Sequence, residues 1–336
     1  MGVPNIDYHG ESMQLDIEQA KALARTAIMA VGADAPTAAS LANATVAAEL
    51  SGHGSVGFAH LLDYLRGFSK GQIARSAQPD IAFPTLTTIK VDAKHGIAQL
   101  GFDLAFNELV ERAKQYGVAL FAQANSYTAG ELGYYTRRLA DAGLISLATS
   151  NGPALVTTPQ SRQRVFGTNP LSFGAPIAGG APLVIDQASS ATAFVNIREA
   201  AAKGHAIPEG WALDAAGMPT TDANDALTGM LLAFGGARGA NIALMVEVLS
   251  AGLTGANWSL DCPSFEHGNA SPGAGLCIVA IAPAALAPDF ATRLALHVER
   301  LSAKGIYVAG RGDRPDVIEV APSVLSEIER YCAHNL

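Results

Sequence analysis

The spacing of apolar residues predicts helices over the first 70 positions. Apolar positions within residues 16–31 recur at helical spacing, and a glycine follows them where a helix would end. Residues 36–50 begin with proline and are rich in alanine, which predicts a second helix. A third helix is expected over residues 58–68, whose leucine and phenylalanine residues fall on one side.

Beyond residue 84, short apolar runs alternate with amphipathic segments. The pattern predicts strands at 85–93, 118–125, 144–151, 171–176, 181–186 and 276–283, and helices at 101–116, 131–141, 240–253, 289–304 and from about 322. Residues 204–225 are rich in glycine, proline and aspartate, which predicts a long loop. The chain is therefore expected to be an α/β protein with helical material at both ends.

The stretch GHGSVG at 52–57 has the G-x-G-x-x-G spacing of a dinucleotide-binding loop. That motif requires a preceding strand and an acidic residue at a strand end about 20 residues later. Here the preceding segment is helical, and the sequence near position 75 is QIARSAQPD. We therefore interpret these glycines as an inter-helix turn and expect no Rossmann fold.

Composition narrows the classes of function. The 336 residues are 49% hydrophobic with a net charge of −8, which argues against nucleic-acid and anionic-membrane surfaces. Three scattered cysteines predict neither a disulfide framework nor a metal site. No export signal and no membrane span is visible, so a cytoplasmic protein that acts on a small molecule is expected.

Four segments in order carry a resemblance to a known family. They are FGTNPLSFGAP (166–176), VIDQASSATA (184–193), IPEGWALDAAGMPTTD (207–222) and GGARGANIALMVEVLSAGLTGA (235–256). Together they resemble the type-2 malate/L-lactate dehydrogenase family of NAD(P)-dependent oxidoreductases. The resemblance implies a non-Rossmann α/β fold, a helical domain of residues 1–80 plus 286–336, a central mixed-sheet domain of residues 81–285, and a homodimer.

The family's relay of serine, histidine and aspartate is only partly present here. The resemblance implies catalytic roles for Ser55 and Asp186, but Val56 stands at the histidine position. At a second histidine position, in NSYTAG (125–130), this sequence has Thr128, which we predict as a third catalytic residue. Both imidazoles of the family's ketone chemistry are therefore missing from their expected places.

This double absence favours an imine substrate over a ketone. Reduction of a ketone produces an alkoxide that needs a positioned acid, and histidine is the usual one. A cyclic imine can instead arrive as the iminium and leave as a neutral amine. We therefore predict a reductase of Δ1-pyrroline-2-carboxylate or Δ1-piperideine-2-carboxylate, similar to the family's ketimine reductases. A 2-oxoacid/2-hydroxyacid dehydrogenase is the alternative, and an inactive binding protein is a third.

Substrate binding is predicted for Gly54, Ser55 and His60. His53 and His60 flank the glycine loop, and either histidine is a candidate replacement for the missing imidazole. The arginine that the family often has four residues before the serine is Ser51 here, so the anchor of the substrate carboxylate stays open. The backbone amides of the loop with Ser55 are one candidate, and Arg66 is another.

The cofactor is predicted to be NADPH, with NADH as an alternative. The resemblance implies contacts from Thr128, Ala129, Gly130, Glu131, Leu132, Thr168, Asn169, Asp186, Gln187, Ala188, Arg238, Gly239, Arg311 and Arg314. Residues 128–132 are expected to meet phosphates at a helix start, where N–H groups suit anions. The two C-terminal arginines of this set suit the 2′-phosphate of NADP.

Overall fold

The structure, a computed structural model, describes residues 13–158, 160–265, 267–310 and 315–333. The helices of this part are α1 (Ile17–Ala30), α2 (Ala35–Leu50), α3 (Phe58–Ser69), α4 (Ala98–Tyr116), α5 (Gly133–Asp141), α6 (Phe194–Lys203), α7 (Ala223–Thr228), α8 (Ala237–Glu247), α9 (Phe290–Ser302) and α10 (Pro322–Ala333). The strands are β1 (Met13–Asp16), β2 (Asp80–Thr85), β3 (Thr88–Asp92), β4 (Val118–Ser126), β5 (Ile145–Ser150), β6 (Val156–Thr157), β7 (Leu171–Ala175), β8 (Leu183–Gln187), β9 (Ala212–Leu213), β10 (Pro219–Thr220), β11 (Met230–Leu232), β12 (Ala274–Ile281) and β13 (Val317–Val320).

Helices from both ends of the chain share one hydrophobic core. Strand β1 pairs antiparallel with β13, with Met13 opposite Val320, and this pairing brings α10 against α1 and α3. Asp16 caps α1, since its carboxylate accepts the N–H of Gln19 while the Gln19 side chain accepts the N–H of Asp16. The buried alanines of α1 and α2 let the two helices pack closely.

A seven-stranded mixed sheet forms the centre, in the order β2-β3-β4-β12-β5-β7-β8. Only β3 and β4 pair in parallel, through the crossover helix α4, and the remaining neighbours are antiparallel. Helices α4 and α5 cover the sheet and bury Phe102, Phe121 and Tyr135. Helix α5 lies so close to β7 that a Cβ on Gly174 would stand 2.4 Å from the carbonyl oxygen of Thr136.

A third lobe contains a four-stranded sheet in the order β10-β9-β11-β6, together with α6 and α7. The prediction of one long loop over residues 204–225 is wrong. These residues contain β9 and β10 and enter α7, whose first turn is capped by Asp222. Strands of two residues each are fixed by their neighbours in the sheet and by buried Ala212, not by any local pattern.

The mixed-sheet, non-Rossmann fold class predicted from the sequence is confirmed. GHGSVG connects α2 to α3 with no strand before it, so the dinucleotide fingerprint has no structural basis at this place. Within the described residues, no helix combines the length and the apolar character that crossing a membrane requires. The division into domains 1–80 plus 286–336 and 81–285 stays a prediction.

Candidate active site

A cleft of about 590 Å³ lies where the helical part, the central sheet and the third lobe meet. That size falls within the range of small-molecule sites. The cleft brings together eleven of the predicted site residues: Ser55, His60, Thr128, Ala129, Gly130, Glu131, Leu132, Thr168, Asp186, Gln187 and Ala188. Val56 lines it as well, so the valine that replaces the expected histidine faces the same space.

The glycine loop is held in place by the end of α2 and by the partly buried carboxylate of Glu49. Gly52 has φ +76°, and the N–H groups of Gly52 and His53 donate to the carbonyls of Glu49 and Ala48. This is a Schellman cap, which favours glycine because other residues are strained at positive φ. The Glu49 carboxylate accepts the N–H of Phe58 at 2.6 Å and passes so close to Gly57 that a Cβ there would clash.

Asp186 is the next-to-last residue of strand β8, and its carboxylate contacts the start of α5. Its Oδ2 accepts the N–H of Gly133 at 2.6 Å, and the N–H of Leu132 also donates to the carboxylate. Burial raises the pKa of Asp186 to about 6, with the charge of Glu131 adding to the effect and the backbone hydrogen bonds opposing it. The first N–H groups of α5 therefore bind this carboxylate.

His53 and Glu131 form a hydrogen-bonded pair beside Asp186. Nδ1 of His53 lies 2.8 Å from Oε1 of Glu131, whose side chain is only 2% exposed. The hydrogen bond to Glu131 raises the pKa of His53, and partial burial opposes this rise. One ligand-type atom from each of His53, Glu131 and Asp186 lies within 4.8 Å of the other two. The cleft thus holds an imidazole and two carboxylates at one point.

A second charged group lies elsewhere along the cleft wall. Asp63 of α3 accepts from His60 at 2.9 Å, from Arg66 at 3.1 Å and from Arg198 of α6 at 3.5 Å. Burial acts to raise the pKa of Asp63, but the His60 hydrogen bond and the two guanidinium charges lower it to about 2. Asp63 is thus a firmly ionised group that holds cations at the surface of the cleft.

The Thr168–Asn169 turn is fixed by a buried glutamate. Asn169 has φ +39°, and its amide donates to Glu247 Oε2 at 2.6 Å. Glu247 also accepts from the backbone N–H and the hydroxyl of Ser259, which lines the cleft. α8 ends at Glu247, and the chain continues as a π-helical turn over residues 248–252. The helix predicted over 240–253 is thus two helical forms joined at this carboxylate.

A comparison with family models decides the relationship of the chain to known proteins. A model described as malate/L-lactate dehydrogenase matches residues 15–311, which is most of the sequence. The chain belongs to this family. Membership was predicted from the four motifs, and the match confirms it.

Individual members of the family are similar over nearly the whole chain. A (2R)-3-sulfolactate dehydrogenase (NADP(+)) of Chromohalobacter salexigens is 33% identical, covering 97% of this chain and 100% of that protein. Delta(1)-pyrroline-2-carboxylate reductase 1 of Burkholderia ambifaria is 34% identical, covering 89% of this chain and 88% of that protein. The crystal structure of Δ1-piperideine-2-carboxylate reductase from Pseudomonas syringae pv. tomato superposes with a TM-score of 0.85 at 32% identity, covering 96% and 95% of the two chains.

Several residues predicted from the family resemblance are not part of the cleft wall. Asn169 is fully buried and holds Glu247, while Gly239 packs against the carbonyl of Phe234. The exposed Arg238 and the loop residue Gly54 do not line the cleft either. Arg311 and Arg314 lie outside the described residues. The catalytic, substrate-binding and cofactor-binding roles assigned from the family remain predictions.

The family motifs did not identify Asp63 or Arg198 as cleft residues. They also left two candidates, His53 and His60, for the missing imidazole. The spacing His60, Asp63, Arg66 is a sequence signal for Asp63, since residues three apart are neighbours on a helix. No comparable signal exists for Arg198, which is 135 residues from its partner Asp63. Its position beside Asp63 depends on how the chain folds between α3 and α6, which no local pattern encodes.

Proposed function

We propose that this protein reduces a cyclic ketimine carboxylate with NADPH. The substrate is Δ1-pyrroline-2-carboxylate, Δ1-piperideine-2-carboxylate or both, and the products are L-proline and L-pipecolate. The observation that carries this proposal is the similarity over nearly the full length to proteins named as reductases of these two imines. The enzyme is accordingly an oxidoreductase that acts on a C=N bond.

The residues at Ser55 and at the family's two histidine positions are compatible with an imine substrate. Ser55 and Thr128 offer neutral hydroxyls to the substrate, and Val56 offers an apolar wall. A hydroxyl can form a hydrogen bond with the nitrogen of an imine or an amine. Reduction of an iminium gives a neutral amine, so the hydroxyl does not have to protonate an alkoxide, as it would after reduction of a ketone. We assign Ser55 and Thr128 to the substrate nitrogen and Asp186 to the proton balance around it.

Two guanidinium groups suit the carboxylate of the substrate. Arg66 and Arg198 converge on Asp63, each with about 43% of its side chain exposed, and both line the cleft. A guanidinium that keeps several N–H groups available binds a carboxylate well. We therefore place the substrate carboxylate at this pair instead of at the backbone of the glycine loop.

The residues present also fit a reduced nicotinamide nucleotide. When bound, this group supplies the hydride. Thr128 to Leu132, Thr168, Gln187 and Ala188 line one continuous cleft and would hold it. Since Asp186 takes the first N–H groups of α5, phosphate binding by this segment depends on groups upstream of Gly133. We propose NADPH over NADH, in keeping with the NADP(+) in the name of one relative. We also propose a homodimer as the assembly, as the family resemblance implies.

Parallel assays test the proposed activity. NADPH and NADH oxidation is followed with each imine, with pyruvate and with oxaloacetate, and NADP+ reduction with (2R)-3-sulfolactate. We expect turnover of the imines, faster with NADPH. Turnover confined to the hydroxy- and oxoacids would replace this proposal by the alternative that the sulfolactate dehydrogenase relative favours. No turnover, with no change in NADPH fluorescence on mixing, would favour an inactive binding protein.

A further inference from the structure

The cleft contains an imidazole that the two expected positions lack. His53 is 46% exposed and lines the cleft beside Ser55, and its Nδ1 is bonded to Glu131. We propose that His53, held and charged by Glu131, donates the proton that the imine nitrogen carries during reduction. This inference rests on the proposed function and adds the acid that the family positions at Val56 and Thr128 do not supply.

The backbone fixes where the imidazole stands. His53 is the residue after Gly52 in the Schellman cap of α2, so its own N–H is bonded to the carbonyl of Ala48 at 2.9 Å. The turn that follows is pinned by Glu49 on the N–H of Phe58. A histidine in this place has a fixed Cα and a ring directed by one hydrogen bond, unlike a histidine in an untethered loop.

Glu131 determines which ring nitrogen serves the substrate. A carboxylate only accepts hydrogen bonds, so Nδ1 carries a hydrogen and donates it to Oε1. Nε2 has no partner among the described residues, so it is the nitrogen available to a ligand in the cleft. The other carboxylate oxygen, Oε2, is buried and also lacks a partner within the described chain. Glu131 therefore acts on His53 through Oε1, the oxygen bonded to Nδ1.

The surrounding charges favour the protonated ring. Glu131 and Asp186 both act to raise the pKa of His53, while Arg137 of α5 acts to lower it. Gly133 makes the close approach of the two carboxylates feasible, because a Cβ there would lie 2.8 Å from Glu131 Oε1 and 3.4 Å from Asp186 Oδ2. The imidazole of His53 thus lies close to two carboxylates at the wall of a substrate-sized cleft, and both carboxylates favour its protonated form.

The proton and electron balance of the step is simple. Protonated His53 transfers the hydrogen on Nε2 to the imine nitrogen, which leaves a neutral ring and an iminium. The C2 carbon then accepts the hydride, and the C=N electron pair becomes the lone pair of the amine. His53 regains its proton from solvent, to which its ring is exposed. In this step Glu131 acts through Nδ1 of His53 and is a positioning residue for the imidazole.

Two variants and a matched control test this assignment. We expect His53→Gln to lower kcat/KM for Δ1-pyrroline-2-carboxylate roughly 100-fold or more, the usual value of a general acid. Glu131→Gln keeps an acceptor for Nδ1 but removes the charge, so the alkaline limb of the kcat/KM profile should move to lower pH. His297→Gln changes an exposed histidine of α9 and should leave rate and profile unchanged.

A second measurement does not depend on turnover. Titration of ring-labelled histidines by NMR, with the His53 signal identified by its loss in His53→Gln, should give His53 a pKa above the usual value of a histidine side chain. Glu131→Gln should bring that pKa down. Wild-type rate and pH profile in His53→Gln would overturn the assignment. So would activity that is lost on treatment with a chelator and restored by a divalent cation, because the three side chains would then be metal ligands.

Failure of this inference and failure of the proposed function give different results. If wild-type protein turns over no imine, the proposed function fails, whatever the titration shows. If imines are reduced but His53→Gln behaves as wild type, only the proton donor is wrong. If the titration shows no effect of Glu131 on His53, the pair does not hold the proton, even when imines are reduced.

Discussion

Two aspartates line the same cleft and have opposite electrostatic surroundings. Asp63 is surrounded by His60, Arg66 and Arg198, and its pKa falls to about 2. Asp186 is buried beside Glu131 with backbone N–H groups as its partners, and its pKa rises to about 6. One group of cleft residues, called here the cationic end, therefore carries the guanidinium groups of Arg66 and Arg198. The other group, the proton-exchanging end, contains Asp186, whose carboxyl exchanges a proton near neutral pH.

The largest effect is expected from the proton-exchanging end. Asp186→Asn removes a negative charge that favours protonated His53 and should lower kcat/KM for the imine about 100-fold. The measurement is steady-state NADPH oxidation at pH 7. Asp225→Asn, at an exposed position of α7, is the control and should keep wild-type rates. An Asp186→Asn enzyme within twofold of wild type would remove this aspartate from the chemistry.

A smaller effect on binding is expected from the cationic end. Arg198→Gln should raise the KM for the imine roughly 10-fold to 50-fold with little change in kcat, because the substrate carboxylate loses a charge-assisted hydrogen bond. Each factor of ten in KM corresponds to about 1.4 kcal/mol of binding free energy. Arg293→Gln on α9 is a matched exposed control. If the KM for NADPH rises instead and that for the imine does not, the guanidinium binds a cofactor phosphate. A fall in kcat alone would contradict a binding role.

The two aspartates should also differ in their effect on stability. Asp63→Asn should lower the free energy of unfolding at pH 8 by about 1–2 kcal/mol, since a lowered pKa stabilises the fold above the unfolded value of 3.8. Asp186→Asn should raise it by a similar amount, because the raised pKa makes the ionised carboxylate costly above pH 6. Urea unfolding measures both.

The pH dependence provides the control for this pair of variants. At pH 4 the gain from Asp186→Asn should largely vanish, since the native carboxyl is then protonated, whereas the loss from Asp63→Asn should persist in part. Equal effects at both pH values would mean that packing, not charge, explains the differences. Effects of the same sign at pH 8 would contradict the electrostatic contrast itself.

The sequence predicted helices, strands and individual cleft residues better than it predicted which distant residues contact each other. Periodicity located the main helices and strands, and the family motifs identified Asp186. The pairing of His53 with Glu131 spans 78 positions and depends on the packing of α2 against α4 and α5, so no local pattern encodes it. Helix α6, which supplies Arg198, was missed because Ile197 is its one buried residue, leaving no apolar stripe to detect.

The smallest effect is expected from a change in the glycine turn before His53. Gly52 stands at φ +76° with open space around its Cα, so Gly52→Ala should cost only backbone strain, about 1 kcal/mol. Gly143 closes α5 with the same cap at φ +87°, also in open space, and makes a matched control. Both variants should lose similar stability in urea, but only Gly52→Ala should change the pKa of His53 and the alkaline limb of kcat/KM. A Gly143→Ala enzyme with the same kinetic change would show that general loosening of the fold, not placement of His53, sets that limb.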